Sequence, residues 1–311
     1  MIKILFIDMN LKLWLRATRF QMVLAMSAPI FVATAFAWYT HNACDLPLFL
    51  LTWLGATIIF VSTDMFNDYY DHVLKADDVN ISPTPFSGGS RVIQDGLIPA
   101  KTILLVAIVG LVIAAIIGLY LNFILDGITI LVLGLIGFFI VFFYTAPPIK
   151  FCYRGLGEIV SGFGFGPIIL FGVYFVQTQV ITMDIVLLSI PLGFVGSMMV
   201  LILSIPDYES DKQVNKKNLT ILFGKKHAVI IYGFFLLFIF ISDTILIILH
   251  VLPLWCLLVL VNVPLAMISF ANAWKHFNDT KLFLFTGFAS FLIATLHHAL
   301  LVVGLFLAKI Y

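Results

Sequence analysis

The sequence predicts an all-α polytopic membrane protein: nine transmembrane helices around a central cavity, with the N-terminus in the cytoplasm. Three observations lead there. The chain of 311 residues is 62% hydrophobic and only 11% charged, a composition that excludes a soluble globular domain or a disordered chain. Apolar runs of about 20 residues, the length that crosses a bilayer, recur along it. The basic residues fall almost entirely in alternate connections between those runs, as the positive-inside rule requires.

The runs lie at 20–39, 47–66, 101–121, 127–145, 158–177, 184–206, 228–249, 252–273 and 283–307. With the N-terminus inside, the cytoplasmic segments hold Lys3, Lys12, Arg16 and Arg19; then Lys75, Arg91 and Lys101; then Lys150 and Arg154. Lys212, Lys216, Lys217, Lys225, Lys226, Lys275 and Lys281 complete the inside set, and of the 17 basic residues only Lys309 falls outside. The outer connections are short and nearly uncharged. The chain therefore reads as a single transmembrane domain, 1–311. Its expected parts are an interfacial N-terminal helix over 1–19 and two cytoplasmic active-site loops, 67–100 and 207–227. The charges Lys3, Lys12, Arg16 and Arg19 interrupt the first twenty residues, so an interfacial helix fits them better than a signal peptide. The run at 158–177 contains Gly162, Gly164, Gly166 and Pro167, where packed neighbours must satisfy freed backbone groups. Cys44, Cys152 and Cys256 follow no ligand spacing and read as ordinary core residues.

Two acidic clusters end runs that point toward the cytoplasm. The first is Asp64-Met65-Phe66-Asn67-Asp68-Tyr69-Tyr70-Asp71, with Asp77-Asp78 behind it; the second is Asp207-Tyr208-Glu209-Ser210-Asp211. A carboxylate costs roughly 2.5–3.5 kcal/mol at the bilayer centre and less toward its edge, so two such clusters call for a compensating cation. On a helix Asp64, Asp68 and Asp71 share one face, as do Asp207 and Asp211. Oxygen ligands from few protein groups suit Mg²⁺, which keeps waters and binds substrate phosphates. Asp68 and Asp207 are 139 residues and four runs apart, a weak internal repeat that can set the clusters face to face. Arg19, Arg91, Lys150, Arg154, Lys212, Lys216 and Lys217 lie on the same side, where a diphosphate needs positive charge. Arg91 follows the Gly-rich Ser87-Gly88-Gly89-Ser90, whose backbone N–H groups can bind anionic oxygens.

Asn67-Asp68-Tyr69-Tyr70-Asp71 resembles the first aspartate-rich motif of the UbiA superfamily of intramembrane prenyltransferases. Pro206 to Asp211, with Lys216-Lys217-Asn218-Leu219, resembles the second. Tyr144-Thr145-Ala146-Pro147-Pro148, Tyr153-Arg154-Gly155-Leu156-Gly157-Glu158 and Ser87 to Ile93 resemble the 1,4-dihydroxy-2-naphthoate polyprenyltransferases of the menaquinone pathway. Asp64 stands where these families often have Asn. The resemblance implies Mg²⁺-dependent transfer of a prenyl chain from a prenyl diphosphate to an aromatic small-molecule acceptor. It also implies residence in a prokaryotic cell membrane, with the active site on the cytoplasmic side.

On that reading Asp68, Asp71, Asp207 and Asp211 are the catalytic carboxylates. Asn67, Asp71, Asp207, Asp211 and Asp64 hold the metal, and Arg19, Arg91 and Lys212 bind the diphosphate. Tyr69, Tyr144 and Tyr153, with Phe163 and Phe165, are candidates for contacting the acceptor or stabilising an allylic cation. Other acceptors of the same chemistry are hydroxybenzoate, a chlorin, haem or a glycerol phosphate lipid; a cation-coupled transporter is the rival from another class. The lipid bilayer is an expected partner and nucleic acid is not. His297-His298 diverge by about 100° on a helix and read as a packed pair, and Asp243 calls for a buried hydrogen-bonding partner.

Overall fold

The computed structural model describes residues 11–125 and 127–311. Lys3, Asp126 and the first ten residues of the expected interfacial helix lie outside the described residues. Among those described, regular structure is helical, apart from one isolated parallel bridge between Arg154 and Lys217.

The described part of the segment expected to be interfacial contains α1 (Leu11–Ala17), which exposes Leu11 and Leu15. The first apolar run forms two helices, α2 (Phe20–Met26) and α3 (Ala28–His41). Pro29 breaks it, because proline lacks an N–H and clashes with the preceding turn. Next comes α4 (Leu46–Val73), capped by the Asp45 side chain, which accepts the Leu48 N–H at 2.9 Å. Its 28 residues span about 42 Å at 1.5 Å per residue, against a hydrocarbon core of about 30 Å. The last turns, carrying Asn67 to Asp71, therefore reach the membrane edge. The expected loop start at 67 is thus too early, since nothing between Asn67 and Val73 breaks the helix.

α5 (Ala100–Ile124) runs back along α4, and α6 (Thr129–Thr145) follows. α5 exposes Ile108, Val112, Ile116 and Leu119, and α6 exposes Leu135 and Phe139. Such apolar surface suits a helix that faces lipid and would be a liability in water. α7 (Gly157–Phe163) and α8 (Ile169–Thr178) form one continuous span through a π-turn at Gly164–Ile168 that accommodates Pro167.

α9 (Met183–Ser204) is the central helix and the most enclosed span. Small residues let the α7–α8 span approach it: a Cβ at Gly166, in the π-turn, would collide with the Ser189 carbonyl oxygen and stand 2.7 Å from Gly193 Cα. The second polar loop folds into α10 (Tyr208–Gln213) and α11 (Leu219–Phe223). Then follow α12 (Lys225–Ile248), a 3-10 segment (Leu254–Asn262), α13 (Val263–His276) and α14 (Thr280–Ile310).

Every one of the nine apolar runs has a helical counterpart. Among the described residues seven helices are long and apolar enough to cross a membrane; the broken first run and α6 are shorter. The core divides along the helix axes. One cluster joins Phe36, Tyr174, Leu188, Val259 and Leu301, and another joins Met198, Tyr232, Ala273 and Phe283. Cys152 and Cys256 are buried as expected, but Cys44 is exposed in the short α3–α4 connection; all three are free thiols.

Candidate active site

The 3.6-residue period of α4 turns Asp68 and Asp71 inward, each 3% exposed. Asp64 lies a turn deeper, and its Oδ2 is buried with no hydrogen-bond partner. The Asn67 amide oxygen accepts a hydrogen bond from Thr145 Oγ1 of α6 at 3.3 Å. After α4 the chain curls back and buries Asp77 beside Asp68 and Asp71, while Asp78 stays exposed. Asp78 is a surface clamp, held by His72 at 2.7 Å and Lys75 at 3.0 Å.

The Gly-rich loop joins the two acidic clusters. The Ser90 N–H donates to Asp68 Oδ2 at 3.2 Å and the Gly88 N–H donates to Asp207 Oδ2 at 3.1 Å. Asn80 Nδ2 donates to Asp207 Oδ1 at 2.8 Å. Gly88 and Gly89 have φ of 78° and 75°, which a side chain disfavours. A Cβ at Gly89 would also collide with Asp77 Oδ2. The N–H groups that sequence reasoning reserves for an anionic ligand thus hold the protein's own carboxylates.

Lys216 closes the arrangement. It follows α10 and points between the clusters, with Nζ 3.0 Å from Asp71 Oδ2 and 3.7 Å from Asp211 Oδ1. Its ammonium lies over the Tyr153 ring, with Nζ 5.2 Å from the centroid. Tyr153 donates its hydroxyl to Asp71 Oδ1 at 2.6 Å, and Asn218 donates to Asp211 Oδ2 at 2.7 Å. On the other flank Arg19 Nη2 donates to Asp68 Oδ1 at 2.8 Å. Arg91 donates to the Asp77 carbonyl at 2.5 Å.

Negative charge is in excess here. Among the described residues Asp64, Asp68, Asp71, Asp77, Asp207 and Asp211 meet the cations Arg19, Arg91 and Lys216, so three carboxylates are uncompensated there when all ionise. Burial pushes Asp211 up to about 7, and neighbouring Asp207 and Asp71 act the same way against Lys216. Burial also raises Asp207, and burial with Asp71 and Asp68 holds Asp77 well above the ordinary carboxylate range. For Lys216 burial acts downward, but Asp211 and Asp71 outweigh it and hold the ammonium charged.

The model of the UbiA prenyltransferase family matches residues 27–294. The chain belongs to that family. The 1,4-dihydroxy-2-naphthoate octaprenyltransferase of Bacillus subtilis is 32% identical over 220 residues, 70% of this chain and 67% of that one. The fold is also that of solved family members. An apo UbiA homolog from Aeropyrum pernix superposes with a TM-score of 0.71 at 14% identity, over 92% of this chain and 98% of that one. A homolog from Archaeoglobus fulgidus bound to DMAPP and Mg²⁺ gives 0.60 at 18% identity, over 94% and 98%. The protein is accordingly a membrane-embedded prenyltransferase, and the transporter reading falls away.

Among UbiA-type acids and bases, the fold sorts the residues singled out from sequence. Asn67, Asp64, Asp68, Asp71, Asp207, Asp211, Arg19, Arg91 and Tyr153 lie in one region, joined by the contacts given above. Tyr144 joins them through the small cluster it forms with Ala76, Cys152 and Tyr153. Lys212 does not: it is exposed, with Nζ 5.7 Å from the Tyr208 ring, because the turn of α10 carries it outward. Lys216 takes the inward position instead. Tyr69 packs on Tyr70 at 5.1 Å, beside the cluster built on Ala17, Met65 and Phe66. Phe163 is 47% exposed and Phe165 stacks on Phe60 at 5.4 Å.

Sequence reasoning named Asp77 and Asn218 within its motifs but gave them no role, and did not single out Asn80. The only available signal for Asp77 was its place shortly after the first motif. Asp243 and His297 form a separate buried pair at 2.7 Å between α12 and α14, far along the chain from these acids.

Proposed function

We propose that this UbiA-family enzyme transfers a prenyl chain from a prenyl diphosphate to 1,4-dihydroxy-2-naphthoate, in a Mg²⁺-dependent reaction at the cytoplasmic membrane face. The observation that carries the reading is the meeting of the two acidic clusters across Lys216, with negative charge left over. The acceptor follows the name of the Bacillus subtilis relative, and Mg²⁺ follows the Archaeoglobus fulgidus homolog's complex with DMAPP. The chain forms one domain that crosses the membrane nine times, with the first crossing kinked at Pro29. The segregated Lys and Arg residues set its N-terminus inside.

The donor set fits a hard divalent cation. It is oxygen-only, it carries surplus negative charge, and Asp64 Oδ2 is buried without a partner. As placed among the described residues, no three acidic, His or Cys side chains already converge on one point. Their oxygens are engaged by the cations Lys216 and Arg19 and by the amide N–H groups of Asn80 and Asn218. Asp71, Asp207 and Asp211, with Asn67 and Asp64, would hold the metal. When bound it supplies electrostatic stabilisation to the phosphate oxygens.

The protein's own groups do the rest. Arg19 and Lys216 face the charge that grows on the departing diphosphate as the prenyl C1–O bond breaks. Tyr144 and Tyr153 present ring faces to the allylic cation. The acceptor ring carbon then forms the new C–C bond. Purified protein given labelled geranylgeranyl diphosphate and 1,4-dihydroxy-2-naphthoate should form prenylated naphthoquinone with Mg²⁺ and none with EDTA. Asp71→Asn and Asp207→Asn should lose turnover at least 100-fold while keeping the wild-type elution volume. Near-normal turnover of both variants in Mg²⁺ refutes the assignment of the acids. Product with 4-hydroxybenzoate alone moves the acceptor and keeps the chemistry.

A further inference from the structure

Glu158 opens α7 beneath Tyr144 and is 1% exposed. Its backbone carbonyl accepts the Ser197 hydroxyl at 2.8 Å, which fixes the turn against α9. Oε1 accepts the Leu219 N–H at 3.0 Å, so this oxygen anchors the loop that carries Lys216 and Asn218. Oε2 is buried and has no hydrogen-bond partner. Buried carboxylate oxygens are rarely left so, because the lost hydration is not replaced. Loop anchoring alone does not explain a carboxylate, since the amide oxygen of a glutamine would accept the Leu219 N–H equally well. The Tyr144 hydroxyl lies within electrostatic reach of Glu158, Cys152, Lys216 and Asp71. That hydroxyl lies next to the start of α7, 3.4 Å from where a Cβ on Gly157 would stand. An unpartnered acceptor oxygen thus belongs to a residue close to Tyr144, beside the acid clusters.

We propose that Glu158 Oε2 is the proton acceptor for a hydroxyl group of the aromatic acceptor, with Tyr144 beside it as part of the acceptor subsite. The assignment rests on the aromatic-acceptor reading given above. The acceptor O–H bond breaks, its proton goes to Oε2 and its electron pair stays on the acceptor oxygen. That charge spreads to a ring carbon, which bonds to the prenyl C1 as the C1–O bond breaks with its pair on the diphosphate. The ring carbon then releases a proton to water, or its carboxylate as carbon dioxide. The proton held by Glu158 returns to the product oxygen.

The test compares wild type with Glu158→Gln in nanodiscs. The variant keeps the Leu219 contact, so Mg²⁺-dependent binding of geranylgeranyl diphosphate should stay within about threefold. Its kcat/KM for the hydroxylated acceptor should fall by about 100- to 10,000-fold, the usual weight of a general base. The deficit should shrink as pH rises toward the pKa of the acceptor hydroxyl, because solvent then removes the proton. A variant within fivefold of wild type, or a deficit that pH does not change, overturns the proposal and leaves Glu158 as a loop anchor. Equal loss of diphosphate binding and transfer overturns it as well.

A second arm needs no variant. Wild type given the acceptor's O-methyl ether should turn over at least 100-fold more slowly, and equal turnover refutes the proton transfer. A wild type that binds prenyl diphosphate yet prenylates neither dihydroxynaphthoate nor hydroxybenzoate removes the aromatic reading itself, and this inference with it.

Discussion

Replacing Lys216 by methionine keeps most of the side-chain length and removes one charge from between two acids. At an effective dielectric near 20, each contact (3.0 Å to Asp71, 3.7 Å to Asp211) is worth about 5 kcal/mol of direct Coulomb energy. The desolvation of the ammonium offsets much of that. Removing one partner of a buried pair typically costs about 3–5 kcal/mol net, because the other charge is left unpaired. The side chain of Lys216 is only 16% exposed, so solvent screening does not erase the effect. Lys216→Met should therefore raise the unfolded-to-folded ratio more than a hundredfold in EDTA, as read by reversible SDS unfolding in mixed micelles. Saturating Mg²⁺ should narrow the gap, since Asp71 and Asp211 then meet a divalent cation. A variant within about 0.5 kcal/mol of wild type in EDTA refutes the bridge, the usual scatter for neutral surface changes. An identical deficit in Mg²⁺ and EDTA refutes the shared-charge argument.

Two further outcomes follow from the same geometry. Burial raises the folded-state pKa of Asp211 to about 7, above its value in the unfolded chain. The folded state then binds the proton more tightly, so its stability is greatest at low pH and falls as pH rises from about 4 to about 7. Asp77 and Asp207 shift in the same direction. Metal-free protein should thus be more stable at pH 5 than at pH 8, with Mg²⁺ reversing the order; stability that rises with pH in EDTA contradicts this. Gly166→Ala should destabilise by about 1–3 kcal/mol, because the added Cβ meets the backbone of Ser189 and Gly193 rather than a movable side chain. Gly172→Ala, where nothing lies within 4 Å, is the control and should be near neutral; equal thermal midpoints for the two would discount the close packing of the α7–α8 span on α9.

Much of this enzyme was legible from residues alone, for reasons that are local. Spanning length and apolarity are properties of a single run, and each apolar run forms helical structure, the first of them as two helices. The face shared by Asp64, Asp68 and Asp71 follows from helix periodicity, which needs no partner. The segregation of basic residues supplied an expectation for the side on which the acids lie. What local pattern cannot decide is which residue wins a contact made across 100 residues or more. Lys212 and Lys216 look equivalent in sequence, and only the turn after α10 sends one outward and the other between Asp71 and Asp211. Asp77 and Asp78 are neighbours, yet the curl of the chain buries one among acids and leaves the other on the surface. The glycines announced a tight loop, but that its N–H groups serve Asp68 and Asp207 depends on α4 and α9 ending side by side. Burial and pairing are properties of packed surfaces, so they came only with the tertiary structure.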